Sequence, residues 1–182
     1  MNTENPTPED RIPNYGLLRD IARHQFNLLQ RKISYLEIGV CEGGSALAVL
    51  GTEVVQMAVL IDPWGLDYGG FGRGSPAHVI ETLGDRYMRM TAILTGDSKA
   101  ILPLLEGRFD MIYVDGDHSA EGCRSDMQSC LRLMGKGAVM MVDDIDHPLH
   151  SYLRKVVIDF AAENNLTFSF YPVHTGMAEL RK

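Results

Sequence analysis

The stretch FDMIYVDGDHSAEG, residues 109–122, is the strongest indication of the kind of sheet that this chain forms. Its apolar run MIYV predicts a buried strand, and the run gives way directly to the polar letters DGDH. The stretch AVMMVDDIDHP, residues 138–148, repeats the arrangement of an apolar run followed by acids and a histidine. Continuous apolar strands are typical of a parallel sheet that is covered on both faces. In such sheets ligands bind beyond the carboxyl ends of the strands, so we expect both acidic clusters at one edge.

Strand and helix patterns alternate through most of the chain, which predicts a single α/β domain. The predicted strands lie at residues 33–38, 54–61, 89–95, 111–114, 138–142, 167–171 and 177–181. The predicted helices lie at residues 15–30, 43–50, 77–88, 98–105, 119–133 and 149–164. The letters GKG at 135–137 predict a turn before the fifth strand. Because no helix separates the last two strands, we predict a Rossmann-like, doubly wound, mostly parallel seven-stranded sheet with an antiparallel C-terminal hairpin.

The composition is typical of a soluble globular domain. The chain has 182 residues, of which 45% are hydrophobic and 23% charged, and this length is enough for one buried core. A net charge of −7 and a pI near 5.3 argue against nucleic acid or an anionic membrane as a partner. Three cysteines without CxxC spacing indicate neither a disulfide framework nor a thiolate zinc site, so we expect the reduced cytoplasm. The N-terminus lacks the pattern of a signal peptide, and no apolar run approaches the length of a membrane span.

The first strand-to-helix turn lies in YLEIGVCEGGSALAVL, residues 35–50. It contains Glu37, Gly39 and Gly43 in the pattern ExGxxxG, and its glycines let the backbone turn sharply and approach a ligand closely. A dinucleotide fingerprint would need a glycine where Cys41 stands, so that fingerprint is absent. Glu37 would repel a pyrophosphate, and the turn therefore suits a cationic or hydroxyl-rich ligand better.

Two further polar turns follow the second and third predicted strands. Asp62 stands at the carboxyl end of the second strand, where a carboxylate can accept both hydroxyls of a ribose. Asp97 and Ser98 follow the third strand, and Asp97 could reach an adenine amino group. Asp97 and Ser98 could also be only the N-cap of a helix, and one residue can serve both purposes.

These residues together resemble the class I S-adenosylmethionine-dependent methyltransferases, over residues 35–142. ExGxxxG after strand one and an acid at the end of strand two are the cofactor motifs of that superfamily. More narrowly, YVDGDHS before a helix, then GKGAVMMVDD and His-Pro, is similar to a subfamily of small O-methyltransferases. That subfamily includes the sugar O-methyltransferases of macrolide and aminocoumarin antibiotic biosynthesis, and catechol O-methyltransferases are more distant relatives. The resemblance implies an O-methyltransferase that acts on a small hydroxylated acceptor.

The resemblance also implies a set of site residues. S-adenosylmethionine would bind at Glu37, Gly39, Gly43, Asp62, Asp97 and Ser98. A divalent metal would be held by Asp115, Asp143 and Asp144, while His118 matches a catalytic base and Asp115 is the rival base. Converging carboxylates repel one another unless a cation neutralises them, and oxygen ligands favour Mg²⁺ or Mn²⁺. The alternative is that both acidic clusters serve only as turns and helix caps.

Two segments are candidate lids. The first is an N-terminal arm at residues 1–14, before a methyltransferase domain at 15–182, and the second is the glycine-rich stretch GLDYGGFGRGSPAH at 65–78. The larger sugar O-methyltransferases carry longer lid segments. Short lids would leave the acceptor pocket open or completed by a second subunit, which makes a homo-oligomer possible. The identity of the acceptor therefore does not carry over from the resemblance.

Two other functions stay open on the sequence alone. An NAD- or nucleotide-sugar-binding oxidoreductase would use a similar sheet, but the chain lacks GxGxxG and a Tyr-x-x-x-Lys pair. A non-catalytic module that binds S-adenosylmethionine is the second, and the acids at 115, 143 and 144 argue against it. Stabilisation by S-adenosylhomocysteine would separate the first alternative from a methyltransferase, and methyl transfer would separate the second.

Overall fold

The computed structural model describes residues 12–65 and 74–182, which form one seven-stranded sheet with helices on both faces. The strands are β1 (Ile33–Ile38), β2 (Val55–Asp62), β3 (Thr91–Thr95), β4 (Phe109–Val114), β5 (Met134–Val142), β6 (Thr167–Tyr171) and β7 (Met177–Arg181). The helices are α1 (Ile12–Leu29), α2 (Gly44–Leu50), α3 (Pro76–Met88), α4 (Ser98–Ile101), α5 (Ala120–Leu131) and α6 (Leu153–Glu163). A 3-10 turn at Leu102–Leu104 continues α4.

The strands lie in the order β3-β2-β1-β4-β5-β7-β6. The first five are parallel to their neighbours, and β7 is antiparallel to both β5 and β6. The sequence-based prediction of a mostly parallel sheet with an antiparallel C-terminal hairpin is therefore confirmed. The order reverses between β1 and β4, and the crevice for ligands in such sheets lies beyond the carboxyl ends at this reversal.

Side chains along each central strand point alternately to the two faces of the sheet, and each face has its own hydrophobic core. Tyr35 of β1 packs into a core with apolar residues of α1, α2 and α3, whereas the next residue, Leu36, packs into a core with α5 and α6. Every residue of β1 and β4 is buried. Strands covered on both faces read as continuous apolar runs, which explains why their pattern was visible in the sequence.

The prediction of a turn at residues 135–137 is wrong, because these residues belong to β5. The pairing with β4 jumps from Phe109↔Met134 to Met111↔Val139, so the extra residues form a bulge inside the strand. Gly137 supplies a backbone φ of 74° at this point, a left-handed conformation that glycine adopts without strain. The signal that predicts a turn thus marks an irregularity within the strand.

Helix α6 begins at Leu153, four residues later than the sequence pattern predicts. Backbone hydrogen bonds from His150 N to His147 O and from Leu153 N to His150 O make tight turns ahead of it. We call residues 145–152 the β5–α6 segment. It leaves the carboxyl end of β5 and therefore lies over the edge where the acidic clusters were expected.

Both candidate lids fall largely outside the described residues. Residues 1–11 and 66–73 are not among them, so the lid predictions stay predictions. Helix α1 begins at Ile12, so the last residues of the predicted arm are its first turn. Within residues 12–65 and 74–182, no helix combines the length and the apolar character needed to cross a membrane.

Candidate active site

The carboxyl ends of β1, β4 and β5 are level with one another, which brings the predicted site residues to one edge. Ile38 pairs with Val114, and Val114 pairs with Val142. The backbone N–H of Asp115 donates to Ile38 O at 2.8 Å, and that of Asp143 donates to Val114 O at 3.0 Å. Both acidic clusters therefore begin at the same level of the sheet, next to the turn at residues 39–43, which we call the glycine turn.

Gly39 opens that turn at a position where no side chain fits. Its φ is 86°, and an added Cβ would lie 1.8 Å from the carbonyl oxygen of Asp115. Gly43, with a φ of 83°, ends the turn as the N-cap of α2. The close approach of β1 and β4 at Gly39 leaves the peptide groups of the turn beside Asp115.

Glu37 is fully buried, and its carboxyl group is engaged by the protein. One oxygen accepts a hydrogen bond from the Tyr35 hydroxyl at 2.7 Å, and the other accepts one from the Ser45 hydroxyl. Burial raises the pKa of Glu37 to about 8, although both hydrogen bonds act in the opposite direction. The predicted cofactor acid, Glu37, therefore lies in the core beneath the turn, where it is hydrogen-bonded to Ser45 in the first turn of α2.

Asp62 ties the end of β2 to the same turn. One of its oxygens accepts from the backbone N–H groups of Val40 and Cys41, each at 2.8 Å. The other accepts from the N–H of Trp64, also at 2.8 Å, and the indole N–H of Trp64 donates to Cys41 O. The carboxylate predicted to hold a ribose thus also fixes the backbone on which the cofactor would rest.

The third polar turn caps α4, as one of the two sequence-based interpretations expects. The Asp97 carboxylate accepts from the N–H of Lys99 at 2.9 Å. The Ser98 hydroxyl donates to the buried carboxylate of Asp126 at 2.6 Å. Because Asp97 lies next to the end of β3, the cap does not exclude a contact with the cofactor.

Asp115, Asp144 and His118 converge at the centre of the edge. His118 Nε2 lies 3.3 Å from Asp115 Oδ1 and 3.3 Å from Asp144 Oδ2. One donor atom from each of the three residues lies within 4.8 Å of the other two. Nε2 is buried, and neither carboxylate contact has the geometry of a hydrogen bond. The imidazole nitrogen therefore points between two carboxylates without a directed partner among the described residues.

Asp143 is placed differently from its neighbour Asp144. Both of its oxygens accept from the Asn14 amide, at 3.1 and 3.2 Å, and one also accepts from the Tyr113 hydroxyl. The backbone N–H of Asp144 donates to it as well, at 2.8 Å. The structure thus groups Asp144 with Asp115 and His118, and it engages Asp143 with protein donors in the interior.

The carboxylates perturb one another and the histidine. Burial raises the pKa of Asp143 to about 8, and the charges of Asp115 and Asp144 add to this effect. Burial also raises the pKa of Asp115. Burial alone would lower the pKa of His118, but the nearby charges of Asp115, Asp144 and Asp143 raise it to about 9. With protein groups alone, His118 is therefore the cation that balances this cluster at neutral pH.

Two residues of the site, Tyr113 and Asn14, have no function assigned from the sequence. Tyr113 lies two residues before Asp115, so the period of the strand puts both on one face, and this signal could have indicated it. Asn14 comes from the predicted arm and gave no signal. The ring of His150 stacks on that of His118 and neighbours that of His147, with centroid distances of 5.3 and 5.1 Å.

Residues 36–145 match the protein family described as the methyltransferase domain. The matched range includes the glycine turn and every residue of the acidic clusters up to Ile145. A comparison with curated proteins gives no match.

Solved structures of methyltransferases share the fold. The O-methyltransferase NovP is 16% identical with a TM-score of 0.72, and the match covers 94% of this chain and 80% of NovP. The O-methyltransferase TomG of Streptomyces achromogenes, involved in tomaymycin synthesis and solved with S-adenosylmethionine, is 21% identical with a TM-score of 0.69, covering 93% and 79%. The methyltransferase PaMTH1 of Podospora anserina, solved with S-adenosylhomocysteine, is 17% identical with a TM-score of 0.60, covering 98% and 90%.

Proposed function

We propose that this chain methylates a hydroxyl of a small acceptor with the help of a divalent cation. The proposal starts from the fact that the chain belongs to the methyltransferase-domain family and is an S-adenosylmethionine-dependent methyltransferase. The observation that carries this proposal is the convergence of Asp115, Asp144 and His118 at the carboxyl edge of β4 and β5. The cluster lies directly beside the glycine turn, because Asp115 N bonds to Ile38 O. A methyl donor on that turn and an acceptor at the cluster would be neighbours.

The choice of oxygen as the methylated atom rests on the chemistry of the cluster. An alcohol or phenol must lose a proton as it is methylated, and a histidine beside acidic groups is suited to accept one. The names of two structural neighbours, the O-methyltransferases NovP and TomG, agree with this choice. A small acceptor, rather than a nucleic acid, suits a chain that carries a net charge of −7.

The donor set fits a hard divalent cation such as Mg²⁺ or Mn²⁺. Two carboxylates whose oxygens lie within 4.8 Å of each other are suitable ligands, and His118 Nε2 beside them is a buried polar atom that lacks a directed partner. We assign the cation to Asp115 and Asp144. Asp143, engaged by Asn14 and Tyr113, would hold the Asp143–Asp144 turn in place. When bound, S-adenosylmethionine supplies the methyl group and the cation supplies positive charge that makes an acceptor hydroxyl more acidic.

The remaining steps belong to residues of this chain. Asp115 and Asp144 would share their charge with a cation, and they would then stabilise the protonated form of His118 less strongly. His118 could then be neutral and accept the proton of the acceptor hydroxyl at Nε2. Asp115 is the rival base, since a carboxylate at the same edge could accept that proton.

Methyl transfer to a panel of small diols tests the proposal. The measured quantity is S-adenosylhomocysteine formed with catechol or simple glycosides as acceptors, in Mg²⁺, in Mn²⁺ and in excess chelator. We expect turnover that chelation abolishes and either metal restores. Asp144→Asn should remove that metal response, whereas Asp146→Asn, at an exposed position in the same segment, is the matched control and should keep it. Full turnover in a protein shown to be metal-free would contradict the role of the cation.

The same preparation separates the alternative functions. S-adenosylhomocysteine should raise the melting temperature and NAD should not, because only a ligand that binds the folded state stabilises it. Stabilisation by S-adenosylhomocysteine without methyl transfer to any acceptor of the panel would instead favour a non-catalytic binding module.

A further inference from the structure

We propose that His150 and Tyr152, both from the β5–α6 segment, are positioning residues that hold the His118 imidazole at its working angle. This inference rests on the proposed function, in which His118 accepts a proton. The atom that would accept this proton is Nε2 of His118. His118 Nε2 makes no hydrogen bond with the carboxylates beside it, so no directed bond at that atom fixes the ring. The orientation of the ring therefore depends on its packing as well as on the charges of the two carboxylates.

The packing is supplied by His150. The two rings are nearly parallel, at 16°, and their centroids lie 5.3 Å apart, so the His150 ring packs along one face of the His118 ring. His147 continues the row at 5.1 Å from His150 and a 31° tilt. Parallel displaced rings at this distance attract each other and restrict rotation about the side-chain bonds.

Tyr152 holds the backbone of the same residue. Its hydroxyl donates to the His118 carbonyl oxygen at 2.9 Å and lies 3.4 Å from Nδ1 of His150. Its ring meets the His150 ring edge-on, at 82°. The peptide group and the ring of His118 are therefore both fixed by one short segment of chain.

That segment follows directly on the two carboxylates at the end of β5, Asp143 and Asp144. Asp144 lies at its entrance, and Asp146 N bonds to Thr175 O, which anchors the segment to the turn before β7. His118 comes from the other half of the site, after β4. Contacts from His150 and Tyr152 thus connect His118, which follows β4, to the chain that follows Asp144 at the end of β5.

Steady-state kinetics with the diol methylated fastest in the panel tests this assignment. His150→Ala should lower kcat about 3- to 10-fold, the range expected from the loss of a ring contact, while the acceptor KM and the S-adenosylhomocysteine affinity stay unchanged. His150→Phe keeps a ring in the stack and should restore most of kcat. Tyr152→Phe should lower kcat as well. His24→Ala, the same change at an exposed position on α1, is the control.

A double-mutant cycle decides whether the effect acts through His118. In a His118→Ala background, His150→Ala should have no further effect, because the positioned ring is gone. A persistent loss of kcat there, or a rise in KM in the single variant, would mean that His150 meets the acceptor itself and would overturn the proposal.

Ring-nitrogen NMR signals of His118 in the S-adenosylhomocysteine complex give a readout that does not depend on catalysis. His150→Ala should shift and broaden them, and His150→Phe should preserve them. Unchanged signals in His150→Ala would overturn the proposal. If His118→Ala retains full turnover while His150→Ala still shifts the His118 signals, the positioning stands and the proposed base is wrong.

Discussion

Among single residues, Gly39 sets the closest approach between two strands of the site. Its φ of 86° and the 1.8 Å that would separate an added Cβ from Asp115 O exclude any side chain there. Relief of such an overlap requires the glycine turn or the end of β4 to move, because the atom it meets is backbone. The glycine turn and the acidic cluster would then no longer lie at the same level of the sheet.

We predict that Gly39→Ala lowers the free energy of unfolding by more than about 3 kcal/mol, from left-handed strain plus a backbone overlap. Gly107→Ala is the matched control, because its φ is 96° and an added Cβ would meet nothing within 4 Å. It should cost only the strain, about 1–2 kcal/mol. Urea unfolding measures both, and equal losses would show that the overlap with Asp115 has no consequence.

Asp62 is the second residue whose replacement gives a definite expectation. Asp62→Ala would leave two backbone N–H groups of the glycine turn and that of Trp64 without their acceptor, and would remove the predicted ribose contact. We expect the affinity for S-adenosylhomocysteine to fall by about 1–3 kcal/mol in calorimetry. Asp85→Ala, at an exposed position on α3, should leave it unchanged. An unaltered affinity in Asp62→Ala would mean that the cofactor site is misplaced.

Among elements, α1 is fastened to the sheet at both ends by buried amides. Near its start, Asn14 donates to both oxygens of Asp143. Near its end, the Gln25 amide donates to the carbonyl oxygens of Asp110 and Gly137, each at 2.9 Å. The Gly137 carbonyl belongs to the bulge in β5, so the helix satisfies a polar group that the bulge exposes.

The hydrogen bonds at the two ends of α1 predict different effects when Asn14 or Gln25 is replaced. Asn14→Ala and Gln25→Ala should each lower the free energy of unfolding by about 1–3 kcal/mol, because each removes two hydrogen bonds to buried acceptors. Only Asn14→Ala should also reduce methyl transfer, since Asp143 adjoins Asp144 at the site. Urea unfolding and turnover of the same two proteins check this, and an equal loss of turnover in both variants would argue against a specific role for Asn14.

The sheet could be predicted from the sequence because its central strands are buried on both faces and read as uninterrupted apolar runs. The meeting of the two acidic clusters at one edge followed from the same reasoning, since parallel strands bring their carboxyl ends together. The orientation of Asp143 could not be predicted. It depends on Asn14, 129 residues away in the chain, and only the packing of α1 brings the two together. The bulge at 135–137 was missed because glycine permits both turns and bulges.

For the whole molecule, buried acids make stability depend on pH in an unusual direction. The pKa of Glu37 is raised, chiefly by burial, from an ordinary 4.5 to about 8 in the folded protein. Between these values the folded chain keeps a proton that the unfolded chain releases, so the free energy of unfolding falls as pH rises. The raised pKa values of Asp143 and His118 act in the same direction.

We therefore predict that the protein loses stability as pH rises from 4.5 towards 8, and that Glu37→Gln flattens part of this slope. Glutamine keeps the size of the side chain and carries no charge to desolvate. Urea unfolding at several pH values measures the slope, with Glu81→Gln, exposed on α3, as the control. Parallel curves for Glu37→Gln and the unchanged protein would show that Glu37 keeps an ordinary pKa.

The insertion of β7 between β5 and β6 has a consequence for how the protein is made on the ribosome. The residues that cover the outer side of β5, at 177–181, are synthesised after every other strand of the sheet. Until they emerge, β5 presents an apolar strand with unpaired N–H and C=O groups, the feature through which nascent chains join one another. Asp143 and Asp144 follow β5 directly. We therefore expect the carboxyl edge of the sheet to be completed late in the biogenesis of this domain.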